Sequence, residues 1–379
     1  MQMKIVVAID SFKGSLSSLK AGNAVKEAIY RLVSNAKVLV KPLADGGEGT
    51  VDAFADSSDT EIIELTVKGP LLNHVTTKYC ILKSNKTAVI EMASASGLTL
   101  ISAEKRNPLE TTTFGVGEII KDAIKKGCRR FIVGIGGSAT NDGGTGMLTA
   151  LGYEFLDKNN NPISLGAKGL KDLYKIRNDK IIPELKECIF NVACDVSNPL
   201  CGENGCSVIF GPQKGATTEM VEDMDVWLEN YAEIAKAISN KADKNYPGTG
   251  AAGGLGFAFL TFTNATLKPG IEIVLRETEI EADIKNADIV VTGEGCLDSQ
   301  TVMGKAPIGV AKLAKKHGKK VIAFSGCVKD GAEVCNDYGI DAFFPILRRV
   351  TTLEEALDIN NAYKNLTETA YQVFRLLLL

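Results

Sequence analysis

Apolar runs that suit buried strands alternate with amphipathic stretches that suit helices at both ends of the chain. In the first part, the pattern predicts a strand at residues 5–9, a helix at 16–33 and a strand at 38–43. In the last part it predicts strands at 288–291, 321–324 and 342–346, a helix at 306–316, and a final helix from about Leu353. Strands and helices that alternate in this way predict a parallel α/β sheet.

The middle of the chain has a different pattern. Apolar runs at residues 61–67, 76–82 and 88–92 are short and close together, which favours antiparallel or mixed pairing. We therefore predict an α/β protein of two domains. A Rossmann-like parallel sheet comes from residues 1–70 and 286–379, and a mixed α/β domain, residues 71–285, is inserted between them. Two consecutive domains are the alternative.

Composition narrows the class of ligand. The 379 residues carry 43 basic and 46 acidic side chains, a net charge of −3, with no long block of one sign. This balance disfavours a nucleic-acid or membrane partner and predicts a small-molecule ligand. The nine cysteines lack the spacing of a zinc ribbon or redox dithiol, and the first residues lack a secretory signal, so we expect a cytoplasmic protein.

Loops rich in glycine, acids and hydroxyls follow several predicted strands, where ligands collect in open α/β sheets. Residues 10–15 combine Asp10, Ser11 and Lys13 ahead of a helix, which suits a metal and an anion, or only a helix capped by Ser15 or Ser17. Residues 44–50 place carboxylates among glycines, which suits Mg²⁺ binding or proton abstraction.

The loop at residues 134–146 follows a strand at 131–133 and opens with the dinucleotide pattern G-x-G-x-x-A. Glu154 lies at about the distance that an NAD site requires, about 20 residues on. The glycines, Asn141 and Asp142 that follow disfavour the regular helix of such a site. The composition favours an extended loop that holds phosphate.

Two further loops carry acids after strands. Asp195 ends a run at residues 189–192 and precedes Asn198, which suits a general base or metal contact, although an Asx turn before Pro199 is equally consistent. Residues 292–307 contain Glu294, and Lys305 stands at the mouth of the next helix, where a phosphate could bind. This is not a Walker A loop.

A glycine cluster at residues 248–256 contains G-x-G-x-x-G, but no strand precedes it. It predicts either a helix N-terminus that binds phosphate or a closely packed helix. His74 and His317 lie outside all of these loops, which disfavours a histidine mechanism.

Taken together and in this order, the loops resemble the glycerate kinase type I family over essentially the whole chain. The resemblance rests on the segments 10–15, 44–49 and 136–146, Cys194-Asp195-Val196 with Asn198-Pro199-Leu200, and Thr292-Gly293-Glu294-Gly295 with Asp298 and Gln300. The resemblance implies a flavodoxin-like domain, an inserted domain of another fold, and transfer of a phosphoryl group from ATP to D-glycerate. It implies 2-phosphoglycerate as the usual product, with 3-phosphoglycerate the alternative.

Phosphoryl transfer needs positioning, charge neutralisation and a carboxylate that takes the hydroxyl proton. We expect Asp195 as that base, slightly ahead of Asp45, and Lys13 as the partner of the glycerate carboxylate. The residues expected to contact substrate are Asp10, Ser11, Lys13, Asn198, Gly46 and Gly47. Those expected at the ATP phosphates are Gly136, Gly137, Ser138, Thr140, Asn141, Asp142, Gly143, Gly144 and Lys305. Those expected at Mg²⁺ are Asp45, Glu48, Asp195 and Glu294.

Two other classes of function remain open at this point. One is an NAD-dependent oxidoreductase, and the other is a module that binds nucleotide or metabolite without turnover. Acids within the glycine loops disfavour a dinucleotide unless a metal intervenes. The sequence is compatible with a monomer or a homodimer.

Overall fold

The structure, a computed structural model, describes residues 2–44, 46, 47, 49–55 and 59–379. Asp45 and Glu48, both predicted to bind metal, lie outside the described residues. The chain forms two compact units, Met1–Asp45 with Ile271–Leu379, and Gly46–Gly270. Among the described helices, none has the length and apolar character needed to cross a membrane.

The elements follow in chain order. The strands are β1 Lys4–Val7, β2 Lys37–Val40, β3 Thr60–Lys68, β4 His74–Leu82, β5 Thr87–Glu91, β6 Arg130–Gly134, β7 Glu154–Leu156, β8 Lys175–Arg177, β9 Ile189–Ala193, β10 Asn264–Lys268, β11 Ile289–Leu297, β12 Lys320–Val328 and β13 Ala342–Pro345. The α-helices are α1 Ser18–Leu32, α2 Thr50–Ala55, α3 Ala93–Ser96, α4 Phe114–Lys125, α5 Thr145–Ala150, α6 Cys206–Phe210, α7 Thr218–Ala235, α8 Ala251–Phe262, α9 Gly270–Glu277, α10 Ile280–Lys285, α11 Ala306–Lys316, α12 Val334–Asp337, α13 Leu353–Leu357 and α14 Ile359–Leu377. Short 3-10 helices lie at Leu98–Leu100, Ala103–Lys105, Ala167–Asp172, Pro183–Glu187, Pro212–Lys214 and Thr301–Met303.

The first unit contains a parallel sheet built from both chain ends, which confirms the predicted architecture. Its strand order is β13-β12-β11-β1-β2. Helices α1 and α14 pack together, and their apolar residues, Val25 and Phe374 among them, form one core with the sheet. Helix α1 begins at Ser18 because the Ser17 hydroxyl accepts the N–H of Lys20 at 3.3 Å, as the capping alternative predicted.

The second unit contains the mixed sheet, also as predicted, in the order β10-β9-β6-β5-β4-β3. Strands β5, β6, β9 and β10 pair in parallel, and β3, β4 and β5 pair antiparallel. Strands β7 and β8 form a separate antiparallel pair. Phe131 and Phe190 stack across β6 and β9 with ring centroids 4.6 Å apart, so aromatic packing fills the core beneath the strands.

Three details differ from the predicted organisation. Strand β3 pairs with β4 along its whole length, so it belongs to the mixed sheet, although the predicted first domain extended to residue 70. Helices α9 and α10 lie mainly in the first unit, although the inserted domain was predicted to continue to residue 285. Strand β11 continues to Leu297, so Glu294 stands within a strand and the predicted loop begins only after it.

The glycine cluster at residues 248–256 is closely packed. Ala252, Gly253 and Gly254 adopt positive φ angles of 53°, 66° and 90° within α8. A Cβ atom on Gly254 would lie 2.8 Å from the Cα of Gly143, so only glycine allows this approach. These contacts favour the close-packing alternative over a phosphate site.

Candidate functional site

In the first unit, polar residues gather just after the end of β1 and along the last residues of β11. The N–H of Asp10 donates to the carbonyl of Gly293 at 2.9 Å, which holds the loop after β1 alongside β11. The Asp10 side chain is buried and accepts the N–H of Ser11 at 2.7 Å. Lys13 follows on the same loop and is exposed. The structure thus brings these predicted residues together at the carboxyl edge of the parallel sheet.

Glu294 and Asp298 share one lysine at this edge. The ammonium of Lys305 lies 3.5 Å from Glu294 Oε2 and 3.4 Å from Asp298 Oδ1. The Thr301 hydroxyl donates to Glu294 Oε1 at 2.6 Å, which fixes the orientation of that carboxylate. We call these residues, Glu294, Asp298, Thr301 and Lys305, the acidic cluster. Its two carboxylates and one ammonium carry a net negative charge, which suits a cation.

The two carboxylates differ in their surroundings. Burial raises the pKa of Glu294, and the Thr301 hydroxyl and the Lys305 charge oppose that rise. Burial would also raise the pKa of Asp298, but Lys305 and the N–H of Gln300 lower it below its ordinary value. Sequence reasoning selected Glu294 and Lys305 but gave no role to Thr301, because only the fold brings a hydroxyl seven residues away onto the carboxylate.

In the second unit, the first part of the glycine loop after β6 presents unpaired amides. Gly136 and Gly137 are exposed, and Ser138 is partly so. Within the described residues, no hydrogen-bond acceptor is found for the N–H groups of these three residues. The carbonyl of Gly137 accepts the N–H of Leu98 at 2.9 Å, which anchors the loop from behind. Consecutive free amides on an anchored turn form a site that suits an anion.

The second part of the same loop, which was also predicted to contact the ATP phosphates, is buried. Thr140, Asn141 and Asp142 are fully buried. The N–H of Gly143 donates to the carbonyl of Gly253 at 2.9 Å, and that of Gly144 donates to Asp142 Oδ1 at 3.1 Å. The N–H groups of Gly143 and Gly144 are therefore already bonded within the chain.

Asp142 is the centre of this buried part. Its Oδ2 accepts the N–H of Thr113 at 2.8 Å, the Thr113 hydroxyl at 2.9 Å, the Thr112 hydroxyl at 3.2 Å and the N–H of Gly146 at 3.2 Å. Burial raises the pKa of Asp142, and the N–H groups of Thr113, Gly144 and Gly146 oppose the rise. The carboxylate ties the glycine loop to the start of α4.

Lys214 is a buried cation beneath this loop that sequence reasoning missed. Its side chain is 2% exposed, and its ammonium donates to the carbonyl of Thr140 at 2.7 Å. Burial lowers the pKa of Lys214 to about 8, although the charges of Cys206 and Asp142 favour the protonated form. Nothing in the sequence marks this residue except its position beside Gly215, and lysines are rarely buried.

Asp195 follows β9, the strand next to β6. Gly134 of β6 and Ala193 of β9 are register partners, so the loops that follow them leave the same edge of the sheet. Asp195 is exposed, and its Oδ1 accepts the N–H of Gly270 at 3.0 Å. The Asn198 amide donates to the carbonyl of Asn204 at 3.0 Å, so that side chain also braces its own loop.

Gly46 and Gly47 pass close to the ends of β6 and β9. Gly46 has a φ of +86°, and a Cβ atom there would lie 2.2 Å from Ala193 Cβ. A Cβ atom on Gly136 would lie 3.3 Å from Gly47 Cα. The second unit therefore places three predicted segments side by side: Gly46 and Gly47, the exposed amides after β6, and Asp195 after β9. We call this group the β6–β9 edge.

The metal prediction has a partial structural basis. Within the described residues, no group of three or more histidine, cysteine, aspartate or glutamate side chains is arranged to hold a metal ion. Mg²⁺ in kinase sites is bound by one or two carboxylates together with water and substrate phosphates. The two carboxylates of the acidic cluster fit that donor set.

Comparison with known proteins agrees with this geometry. The model of the glycerate kinase family matches residues 5–378. A glycerate kinase of Haemophilus influenzae is 47% identical over 99% of both chains, and the glycerate 2-kinase of Escherichia coli K12 is 46% identical over 98% of this chain and 97% of its own. A crystal structure of a Salmonella typhimurium LT2 protein described as glycerate kinase 2 superposes with a TM-score of 0.91 at 44% identity, covering 100% of this chain and 98% of that one. The chain therefore belongs to the glycerate kinase family, whose members are enzymes that phosphorylate glycerate.

Proposed function

We propose that this enzyme transfers the γ-phosphoryl group of ATP to the 2-hydroxyl of D-glycerate and releases 2-phosphoglycerate. Family membership supports the acceptor, and the name of the Escherichia coli relative, glycerate 2-kinase, supports the position of the new ester. The observation that carries the mechanism is the β6–β9 edge, which places free amides and a carboxylate after neighbouring parallel strands. Phosphoryl transfer requires those two kinds of group.

The exposed amides of the edge are proposed to bind phosphate oxygens. Gly136, Gly137 and Ser138 offer three consecutive N–H groups, and preorganised N–H groups stabilise the negative charge of a phosphoryl group in transfer. No side chain on the two glycines obstructs a close approach. Lys305 remains our proposal for a cation at the ATP phosphates, since it stands at the start of α11.

Asp195 is proposed as the general base. It is exposed, and the N–H of Gly270 donates to its Oδ1 and orients a carboxylate that would accept the proton of the glycerate hydroxyl. Lys13 is proposed to pair with the glycerate carboxylate, beside Asp10 and Ser11 on the same loop. Asn198, Gly46 and Gly47 stay predicted substrate contacts.

Mg²⁺, when bound, would supply positive charge that neutralises the charge developing on the phosphoryl group during transfer. Glu294 and Asp298 are the described residues that we propose to hold it. Their shared contact with Lys305 keeps the local charge low until ligands bind. Glu294 was predicted for this role from the sequence, and Asp298 is added by the structure.

An NAD-dependent reaction is disfavoured by the geometry of the loop after β6. A dinucleotide site needs a regular helix directly after the glycine fingerprint. Here, Asp142 is buried instead, Gly144 adopts a left-handed conformation, and α5 begins only at Thr145. Family membership also separates this enzyme from a module that binds without turnover.

The role of Asp195 is tested with Asp195→Asn. We expect kcat to fall by about 10²- to 10⁴-fold, because the amide cannot accept the hydroxyl proton. The KM for glycerate should change much less, and the circular dichroism spectrum and melting temperature should match those of the wild type. Asp157→Asn, in an exposed turn of the same unit, is the matched control and should retain full turnover. Wild-type kcat in Asp195→Asn would assign the base to another acid.

A further inference from the structure

Two cysteines stand side by side in the first unit. Cys296 of β11 and Cys327 of β12 are register partners in a parallel pair, so both side chains point to the same face of the sheet. Neighbouring strands lie about 4.8 Å apart, which falls within the Cα separation of about 4.4–6.8 Å that disulfides span. The backbone therefore already holds the two residues at bonding range.

The two thiols belong to register partners, and both are reachable. All nine cysteines lie within the described residues and are free thiols, and most are buried. Cys296 and Cys327 are only partly buried, as is Cys194, which lies in the other unit and contacts the carbonyl of Val196.

The thiol pair adjoins the acidic cluster. Glu294 precedes Cys296 by two residues on one strand, so the two side chains share a face. Asp298 follows by two residues and begins the turn that carries Thr301 and Lys305. Any displacement of Cys296 is transmitted along the backbone to both carboxylates.

We propose that Cys296 and Cys327 form a modification site, at which a low-molecular-weight disulfide such as glutathione disulfide closes an intramolecular disulfide that inhibits the kinase. Closing the bond draws the two sulfur atoms to about 2.05 Å, well inside their noncovalent contact distance. Since the strands are already paired, the movement is taken up by the side chains and by the turn after Leu297. That turn carries Asp298, Thr301 and Lys305, and the proposed function requires these residues to be accurately positioned.

The exchange is balanced in two steps. The sulfur of one cysteine, having lost its proton, attacks a sulfur of glutathione disulfide, whose S–S bond breaks and releases one glutathione, which takes up a proton. The second cysteine then loses its proton and attacks the mixed disulfide at the protein sulfur, releasing the second glutathione. The two thiols are oxidised by two electrons, and one glutathione disulfide is reduced to two glutathione molecules.

The chemistry is tested by mass spectrometry on the whole protein. It is incubated in buffers with rising ratios of oxidised to reduced glutathione, alkylated with N-ethylmaleimide and digested with trypsin. Residues 286–305 and 321–329 form separate tryptic peptides with one cysteine each. We expect these two peptides to be joined, lighter by two hydrogens than their sum, and separated again by dithiothreitol. Unlinked, alkylated peptides at the most oxidising ratio would overturn the proposal.

Activity is followed on the same samples, relative to the fully reduced enzyme. We expect glycerate phosphorylation to fall about tenfold or more as the crosslink forms, since a misplacement of about 1 Å can cost about 10²-fold. Cys327→Ser should carry glutathione on Cys296 but form no crosslink, and Cys296→Ser should behave in the converse way. A complete crosslink with unchanged activity would overturn the inhibitory role. The expected loss of activity rests on the proposed function, whereas the detection of the crosslink by mass does not. A failure of the proposed function can therefore be distinguished from a failure of the disulfide to form.

Discussion

The buried carboxylate of Asp142 should be a major source of stability for the second unit. Asp142→Asn replaces one oxygen by an NH₂ group of nearly the same size. The best placement keeps the amide oxygen at the Oδ2 position, where Thr112, Thr113 and Gly146 donate. The new NH₂ group then faces the N–H of Gly144, which previously donated to Oδ1 at 3.1 Å.

The cost follows from this geometry. Two donors, the N–H of Gly144 and the new NH₂ group, are left facing each other in a site without solvent, and an unsatisfied buried donor costs about 1–3 kcal/mol. The remaining hydrogen bonds lose their charge assistance, but the variant no longer buries a charge, and this relief offsets part of the loss. We expect the free energy of unfolding to fall by about 2–4 kcal/mol. That is a large share of the roughly 5–15 kcal/mol typical of a folded protein.

Urea unfolding provides the assay. The single tryptophan, Trp227, lies in α7 and packs against the core of the second unit, so its fluorescence reports on this unit. Asp157→Asn is the control, because Asp157 accepts backbone N–H groups in an exposed turn, and it should shift the transition only slightly. If Asp142→Asn unfolds at the same urea concentration as the wild type, the carboxylate does not anchor the loop.

Two other consequences can be measured directly. The pKa of Lys214 is about 8 in the folded protein, against 10.5 for an unperturbed lysine, so the unfolded chain binds more protons between these two pH values. The free energy of unfolding of the wild type should therefore rise with pH across that window, by up to about 3 kcal/mol relative to Lys214→Met. Urea transitions of both proteins at pH 7.5 and 9.5 test this, and a constant difference would show that the lysine does not titrate there. Removal of divalent metal with EDTA should abolish turnover and excess Mg²⁺ should restore it, because phosphoryl transfer relies on a metal to neutralise phosphate charge. Full activity in EDTA would contradict the metal assignment.

The pattern of the sequence was sufficient for the main elements of both sheets. It failed at β11, where Gly293, Glu294 and Gly295 suggested a loop. A Cβ atom on Gly293 would lie 2.0 Å from the carbonyl oxygen of Phe324, and one on Gly326 would lie 2.4 Å from that of Gly295. The glycines permit close approach of two paired strands, a use that cannot be distinguished from a turn in the sequence alone.

Residues of the candidate site could be predicted where they directly follow a strand. They could not be predicted where their role depends on burial in the folded protein. Asp195 and Gly136 could be selected because they follow apolar runs. Asp142 also stands among glycines, but its donors come from residues 112 and 113, about 30 positions earlier, and only the fold brings them together. Lys214 is a similar case, because its burial depends on packing around Thr140 that no local pattern shows.

The identity of the product distinguishes the proposed reaction from its alternatives. The enzyme is incubated with ATP, Mg²⁺ and D-glycerate, and proton-coupled phosphorus NMR is recorded on the mixture. We expect one new phosphate monoester whose phosphorus couples to the single proton on C2, formed in step with ADP. A signal coupled to the two protons on C3 would contradict the proposed position of transfer, and ATP that remains intact beside unmodified glycerate would contradict the proposed use of ATP.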